Sequence, residues 1–312
     1  MTSKRYDVAV VGGGPAGLAA ALWLARYLHT VVVVDSGDPR NWETRGINGY
    51  LGHQGIQSPE FRALGREECA KFGVEFVNGI VDKAINETGE LFSACLRDGS
   101  TIEARRILLA IGIRDVWPDI PGLDRCYGET VHVCPDCNGY ETQDKKTVVV
   151  GKGRKAVGMA LALTTWTREL VICTNGEKPD MDRKLLDQLK SLNIPVLDAP
   201  IRCVVSKSSE ISAVELVGGM SLDCQRLYFA IGQYPADDLG AQLGCKRDQM
   251  GRLVIDERNH TSVMNVFAAG DITPGAQLAI VAAASGTVAA VAIHASLLPE
   301  SRKLPALTTS GA

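Results

Sequence analysis

Two cysteines, Cys134 and Cys137, flank Pro135 and Asp136, and this C-x-x-C spacing admits three kinds of chemistry. A closed structural zinc site wants four ligands, yet only His132 lies beside the pair and the chain has no second C-x-x-C. Two inert cysteines in a turn are the second reading. The third is redox: a disulfide can close across two residues, and the short loop keeps one thiol ready to resolve a mixed disulfide formed by the other. We adopt the redox reading and expect no metal. Asp136 and His132 are the nearby side chains able to carry a proton for such a reaction.

A second constellation opens the chain. Gly12, Gly14 and Gly17, with Pro15 and Ala16 between them, form G-x-G-x-x-G after an apolar run at 6–11, and Asp35 ends the following run. The first glycine permits a tight turn, the second lets a pyrophosphate approach the backbone, and the third lets helix pack on strand. The helix start then faces the phosphates, and Asp35 can accept hydrogen bonds from ribose hydroxyls. Near the other end, VFAAGD at 266–271 places Gly270 and Asp271 at a strand end, followed by Gln277, Leu278 and an alanine-rich helix. A carboxylate there can hold a polyol chain, and the helix start sets backbone amides beside a ring carbonyl. Paired with the first motif, it indicates FAD, adenine half on the first and ribitol on the second.

These residues need elements to hold them. Strand 6–11, glycine turn, helix 18–28 and strand 31–34 make a βαβ unit. A second copy follows: strand 147–150, a turn with Gly151, Gly153 and Ala156, helix 157–165 and strand 170–173. Two short apolar runs, 107–112 and 227–232, each end in Ala-Ile-Gly, the first at Gly112. The fold class is therefore α/β, two Rossmann-like three-layer domains with the second inserted in the first. PDIPG at 118–122 marks the outward crossing, and the return is placed near 239–245 because the last motif belongs with the first domain. The domains read as 1–117 plus 245–312 for FAD, and 118–244 as a nicotinamide-type domain carrying the dithiol.

Composition removes other classes. The 312 residues are 46% hydrophobic and 22% charged, an ordinary globular profile rather than a fibrous one. With 33 Lys plus Arg against 36 Asp plus Glu, and no basic stripe, nucleic acid is not an expected partner. The N-terminal apolar run breaks at Gly12, too early for a signal peptide, and the uncharged stretch 278–298 is so rich in alanine that a buried helix is expected rather than a membrane span. Nine irregularly spaced cysteines suit a reducing cytoplasm better than a secreted disulfide framework.

Taken together, GGGPAG, the C-x-x-C, the G-x-G-x-x-A of the second domain and VFAAGD resemble the low-molecular-weight thioredoxin reductase family of FAD-dependent pyridine nucleotide-disulfide oxidoreductases, over residues 6–298. DSGDPRN at 35–41 and CPDCNGYE at 134–141 look more like the thioredoxin-reductase-like dithiol oxidoreductases than the NADPH-dependent reductases. The resemblance implies a homodimer, an FAD domain interrupted by a nicotinamide domain, Cys137 packed against the flavin and Cys134 attacking the substrate. Ser36, Arg40, Asn41, Asn48 and Gly112 join the FAD-binding candidates on this basis, and segment 40–53 falls where the family makes subunit and flavin contacts.

Departures from the family bear on the electron donor. Lys152, Arg154 and Lys155 fill the second glycine loop, and strand 170–173 runs into Thr174-Asn175-Gly176 without the arginines that grip the extra phosphate of NADPH. Either the loop's own cations hold that phosphate, or the domain keeps the fold of a nucleotide site without its use. Asn138 stands where the reductases place Asp and the related oxidases His, so Asp136 or His132 is expected to supply the proton. The expected activity is flavin-coupled thiol-disulfide exchange with a thioredoxin-like protein or a small dithiol or disulfide. Its electrons come from NADPH, from ferredoxin, or from a substrate dithiol whose electrons pass on to oxygen. A non-catalytic flavin redox sensor is the different-class alternative. The tail 300–312 is either frayed or a lid formed by 304–307.

Overall fold

The computed structural model describes residues 4–40 and 44–303, so Asn41 and the tail segment 304–307 lie outside the described residues. Compactness divides the chain into two units: Met1–Pro39 with Pro59–Ile113 and Pro235–Ala312, and Arg40–Ser58 with Arg114–Tyr234. The crossings thus fall at 113/114 and 234/235, not at 118–122 and 239–245. The return comes early because Leu239, Leu243 and Cys245 are buried in the core of the first unit. Segment 40–58, expected in the FAD domain, joins the second unit, through contacts described below.

In the first unit, β1 (Arg5–Val11), β2 (Val31–Asp35) and β3 (Glu75–Asn78) run parallel, and β1 also pairs in parallel with β6 (Thr101–Leu109). The two antiparallel strands β4 (Val81–Asn86) and β5 (Phe92–Leu96) complete the order β3-β2-β1-β6-β5-β4. The later half of β6 pairs instead with β17 (Val266–Ala268), in parallel. All five residues of β2, VVVVD, are buried, as expected for a central parallel strand with both faces covered. One face carries Tyr6, Val32, Val34, Phe92, Ile107 and Leu109 together with Leu239 of the short helix α6 (Leu239–Gln242). The other carries Val8, Val10, Val31 and Val33 under α1 (Pro15–Arg26) and α7 (Ala279–Leu297). α1 starts at Pro15, where the missing N–H costs nothing, and buries Leu18, Ala21 and Leu24. α7 is long and apolar enough to cross a membrane, but Ala282, Ala289, Ala290, Ile293 and Leu297 pack into this core, which marks it as a core helix. α2 (Ser58–Lys71) precedes β3.

The second unit has a parallel sheet ordered β11-β10-β9-β15-β8, from β8 (Val131–His132), β9 (Thr147–Gly151), β10 (Leu170–Cys173), β11 (Val196–Leu197) and β15 (Arg226–Ala230). Helices α4 (Gly153–Leu163) and α5 (Arg183–Ser191) contribute Val157, Ala160, Leu163 and Leu189 to the core on one face. On the other lies an antiparallel sheet of β12 (Ile201–Lys207), β13 (Glu210–Leu216) and β14 (Ser221–Asp223), burying Val204, Val214 and Leu216. The short strands β7 (Ile113–Asp115) and β16 (Gln233–Pro235) pair with each other where the chain crosses. α3 (Pro135–Asn138) is the single turn that carries the dithiol.

Gly17 fixes the distance between α1 and β1, because a Cβ there would lie 1.9 Å from the Gly12 carbonyl oxygen. Gly17→Ala is expected to cost about 1–3 kcal/mol as overpacking, which is roughly 2–4 °C of melting temperature per kcal/mol for a domain of this size. Bound flavin should be lost with it. An unchanged melting temperature and flavin content would contradict this account of the turn.

Candidate functional site

The first unit gathers its motif residues at one edge. Because β1, β6 and β17 are parallel, Gly12, Ala110 and Gly270 all follow strand ends on the same side of the sheet, the side on which such folds bind ligands. Gly12 N–H donates to Val34 O at 2.8 Å, Ala110 N–H to Val11 O at 2.8 Å and Ala269 N–H to Leu109 O at 3.1 Å. Gly270 is close enough to α1 that a Cβ on it would be 2.9 Å from the Ala16 Cβ, so the two motifs lie side by side. Gly112, of the segment following β6, joins the same edge, its carbonyl accepting from Ala236 N–H at 3.3 Å.

The fit to a dinucleotide rests on the helix starts. Gly14 caps α1 and Leu278 caps α7, and neither offers a side chain to the first-turn amides. A Cβ on Gly14 would enter open space, where a phosphate can approach the backbone. Asp35 is buried, with its Oδ2 held by Arg62 and, at 3.3 Å, by Arg66, while Oδ1 accepts from Gly37 N–H at 3.3 Å. Arg62 also donates to Gly13 O at 3.3 Å, tying α2 to the glycine turn. Carboxylate oxygens have lone pairs to spare, so Asp35 still has acceptor capacity. The pairing with Arg62 and Arg66 was not visible in the sequence, beyond their one-turn spacing on a helix. Ser36 Oγ accepts from Asp38 N–H at 3.4 Å at the exposed end of β2. Gly270 N–H donates to Ser285 Oγ of α7 at 3.2 Å, and Asp271 and Gln277 follow in the loop to that helix.

Two FAD-binding candidates fall in the second unit. Arg40 makes a part-buried bidentate pair with Asp115, at 2.6 and 2.7 Å, and Gln233 donates to the same carboxylate at 3.0 Å. Asn48 Nδ2 donates to the Cys137 carbonyl at 3.0 Å, and its Oδ1 accepts from Gln54 at 3.1 Å. Both groups are hydrogen-bonded within the second unit. Together with Arg45, paired to Glu129, they explain why 40–58 belongs to the second unit.

Cys134 and Cys137 are joined in a disulfide, with Cα atoms 5.3 Å apart, so neither sulfur is a thiolate ligand for zinc. Cys134 caps α3, and its Sγ accepts from Cys137 N–H at 3.2 Å. The remaining cysteines sit apart from this chemistry: burial pushes the Cys173 and Cys224 thiols up to about 12 and Cys69 to about 11. Asp136 is exposed in the first turn of α3. His132 does not meet its expected role. It is buried against Tyr228, and burial and then the Arg226 charge lower it to about 3, so it has no proton to give near neutral pH. Glu141, which sequence reading passed over, lies 3.5 Å from Asn48 beside the dithiol turn.

The second glycine loop is built like the first and finished differently. Gly153 N–H, at the start of α4, donates to Pro179 O at 2.8 Å, and the Asp180 carboxylate stands 3.5 Å from where a Gly153 Cβ would be. Lys152 pairs with Glu177, and Lys155 donates to Ile231 O at 3.3 Å. Pro179 O thus already accepts from the first amide of α4, and two of the loop's three cations, Lys152 and Lys155, have partners within the protein. Gly151 and Ala156 keep the fold's close packing, a Cβ on Gly151 lying 2.9 Å from Ala230 O and 3.4 Å from the Ala156 Cβ.

A dinucleotide motif in one nucleotide-binding fold and a disulfide on a second define a flavin-dependent disulfide oxidoreductase. The chain belongs to the pyridine nucleotide-disulphide oxidoreductase family, whose model matches residues 6–286. It is 27% identical to a probable thioredoxin reductase of Arthroderma benhamiae, over 95% of this chain and 81% of that protein. It is 26% identical to a component of the alkyl hydroperoxide reductase of Staphylococcus aureus, over 86% of this chain and 54% of that protein, so it spans about half the length of that relative. Among solved structures it is similar to the putative thioredoxin reductase TrxB of Bacillus anthracis, with TM-score 0.87 and 30% identity over 93% of this chain and 98% of that one. HlmI gives TM-score 0.87 and 33% identity over 92% and 91%.

His132 yields a pH test. Its pKa is lower in the folded than in the unfolded chain, so its contribution to stability is complete above about 6.5 and is lost as pH falls toward about 3. From pH 6.5 to 5 the loss is about 2 kcal/mol, at about 1.4 kcal/mol per unit. Urea unfolding at pH 7 and pH 5 should show His132→Phe losing less stability than the parent by roughly that amount. Equal losses would mean that His132 is not buried neutral.

Proposed function

We propose that the protein oxidises dithiols, and that nicotinamide is not its electron donor. The observation that supports this is the start of α4, where Gly153 N–H already donates to Pro179 O and Lys152 is paired with Glu177. A substrate thiolate attacks Cys134 Sγ, the Cys134–Cys137 bond breaks, and Cys137 leaves as a thiolate that takes up a proton. The second substrate thiol then attacks the mixed disulfide and releases Cys134, so that the substrate gains one S–S bond and the protein holds two thiols. Bound FAD supplies the two-electron acceptor that allows the pair to return to a disulfide. In this scheme the α1 and α7 starts, Asp35 and Asp271 hold the cofactor. The Cys137 N–H donates to Cys134 Sγ, and Asp136, exposed on the same turn, is the candidate to exchange protons with solvent. The substrate is a small dithiol or a thioredoxin-like protein.

A second reading, reduction of a thioredoxin-like disulfide, is favoured by the names of two relatives, the probable thioredoxin reductase of Arthroderma benhamiae and the putative one of Bacillus anthracis. Anaerobic mixing of the purified flavoprotein with a dithiol, NADPH, NADH and reduced ferredoxin in turn separates the two. The dithiol alone should bleach the flavin, Cys134→Ser should prevent it, and air should then restore the colour with peroxide formed. Rapid bleaching by sub-millimolar NADPH would overturn the proposal, and absence of turnover with every donor would favour a redox sensor.

We also propose a homodimer, formed through the outward face of α7. Val281, Val288 and Val291 are exposed, with Ala284 and Ala295 between and beyond them, and the three-four spacing of these five makes one uncharged seam. Sedimentation at micromolar concentration should show a dimer that Val288→Asp weakens. A monomeric parent, or a variant dimer of unchanged strength, would rule out this seam.

A further inference from the structure

α3 is only one turn long, too short to hold itself. The bond from Gly139 N–H to Pro135 O, at 2.7 Å, closes its end. The carbonyls of Cys137 and Asn138 point out of the turn with no backbone partner of their own, as at any helix end. Two side chains from elsewhere meet them. Asn48 Nδ2 donates to Cys137 O at 3.0 Å, and Thr142 Oγ1 donates to Asn138 O at 3.0 Å. Thr142 is fully buried, and the Tyr228 hydroxyl lies 2.7 Å from its Oγ1. The threonine proton is already spent on Asn138 O, so Tyr228 must be the donor to Thr142. The chain Tyr228–Thr142–Asn138 therefore runs from the central sheet of the second unit into the dithiol turn. Packing supports it from another side, since a Cβ on Gly139 would lie 2.4 Å from the Trp166 ring.

We infer that Asn48 and Thr142 are positioning residues that hold the Cys134–Cys137 turn in its disulfide-ready shape when the bond is open. The inference rests on the reading that this pair cycles between disulfide and dithiol. While the disulfide is closed, the covalent ring fixes the turn and the two side chains add little. Once it is reduced, an unsupported four-residue turn gains conformational freedom, and the thiols separate. Side chains that keep the carbonyls fixed deny that freedom, which raises the effective concentration of one thiol at the other and favours re-closure. Cys137 O and Asn138 O are adjacent in sequence and are bound from different elements, so the turn cannot swing about either bond alone.

The test is the equilibrium of the pair in the intact flavoprotein, set anaerobically against glutathione redox buffers, quenched by alkylation and read by mass. In Thr142→Val the equilibrium constant for disulfide formation should fall roughly tenfold, a shift of about 30 mV toward a more oxidising potential. Thr142→Ser should restore it. Tyr228→Phe leaves the Thr142 bond to Asn138 in place and should shift the constant less than threefold. Asn48→Ala, outside the buried core, should fall in the same direction as Thr142→Val and carries the test if the latter does not fold. A parental pair that does not titrate at all overturns the dithiol reading itself. A pair that titrates, with folded Thr142→Val or Asn48→Ala at the parental potential, overturns the positioning role. So does a Tyr228→Phe shift as large as that of Thr142→Val.

Discussion

A helix that begins at the end of a parallel strand leaves its first amides without partners, and what meets those amides decides the character of each unit. The first four N–H groups of any helix must be satisfied by a side chain, by water or by a ligand. In the first unit the caps are Gly14 and Leu278, residues with no side-chain acceptor to offer. The helices are held in place by close packing elsewhere, Gly17 against the Gly12 carbonyl and Gly270 against Ala16, while the space beside Gly14 stays open. The site is thus made by omission, from backbone groups held at a fixed distance by small residues. Stability and cofactor binding in this unit are consequences of the same contacts.

The second unit surrounds its glycine turn differently from the first. Its strand-turn-helix repeats the first, with Gly151, Gly153 and Ala156 at corresponding places and Val148, Val149 and Val150 fully buried. The difference lies in the segment after β10, which turns back so that Pro179 O accepts from Gly153 N–H. Thr174 Oγ1 donates to Glu177 O within that segment, and Asn175 Oδ1 accepts from Ile201 N–H at 2.7 Å, so the closing loop is itself fastened. One helix-start amide is met by a backbone carbonyl, and Lys152, which reads as phosphate-binding in sequence, pairs with Glu177. Cation count in the loop is a poor guide once those cations have internal partners.

What was legible in the sequence follows from locality. The βαβ units, the glycine turns and the C-x-x-C are patterns within a few dozen residues, and both nucleotide folds, their order and the dithiol could be read from them. Contacts distant in sequence could not. Nothing around Asp35 announces Arg62 and Arg66, and nothing around Cys137 announces Asn48 or Tyr228. His132 was misjudged for a related reason: proximity to the cysteines in sequence suggested a proton donor, but it is a residue of β8, where it packs on Tyr228 and burial fixes its charge state. The crossings were misplaced because proline and glycine mark turns, not the boundary of a core, and Leu239 and Leu243 belong to the first unit by burial alone.

Segment 40–58 joins these themes through the chain itself. It leaves β2 just after Asp35 and re-enters at α2, the helix whose Arg62 and Arg66 hold that same aspartate. Between those ends it is secured by the Arg40–Asp115 pair, by Arg45 N–H to Gly128 O at 3.4 Å, and by Asn48 on the Cys137 carbonyl. The Arg40–Asp115 pair is bidentate and part-buried, and removing one partner leaves the other charge without its counterpart. A substitution at Arg40 or Asp115 acts first on the course of this segment, then through Asn48 on the dithiol turn, and loss of activity in such a variant is not by itself a sign of contact with flavin or substrate.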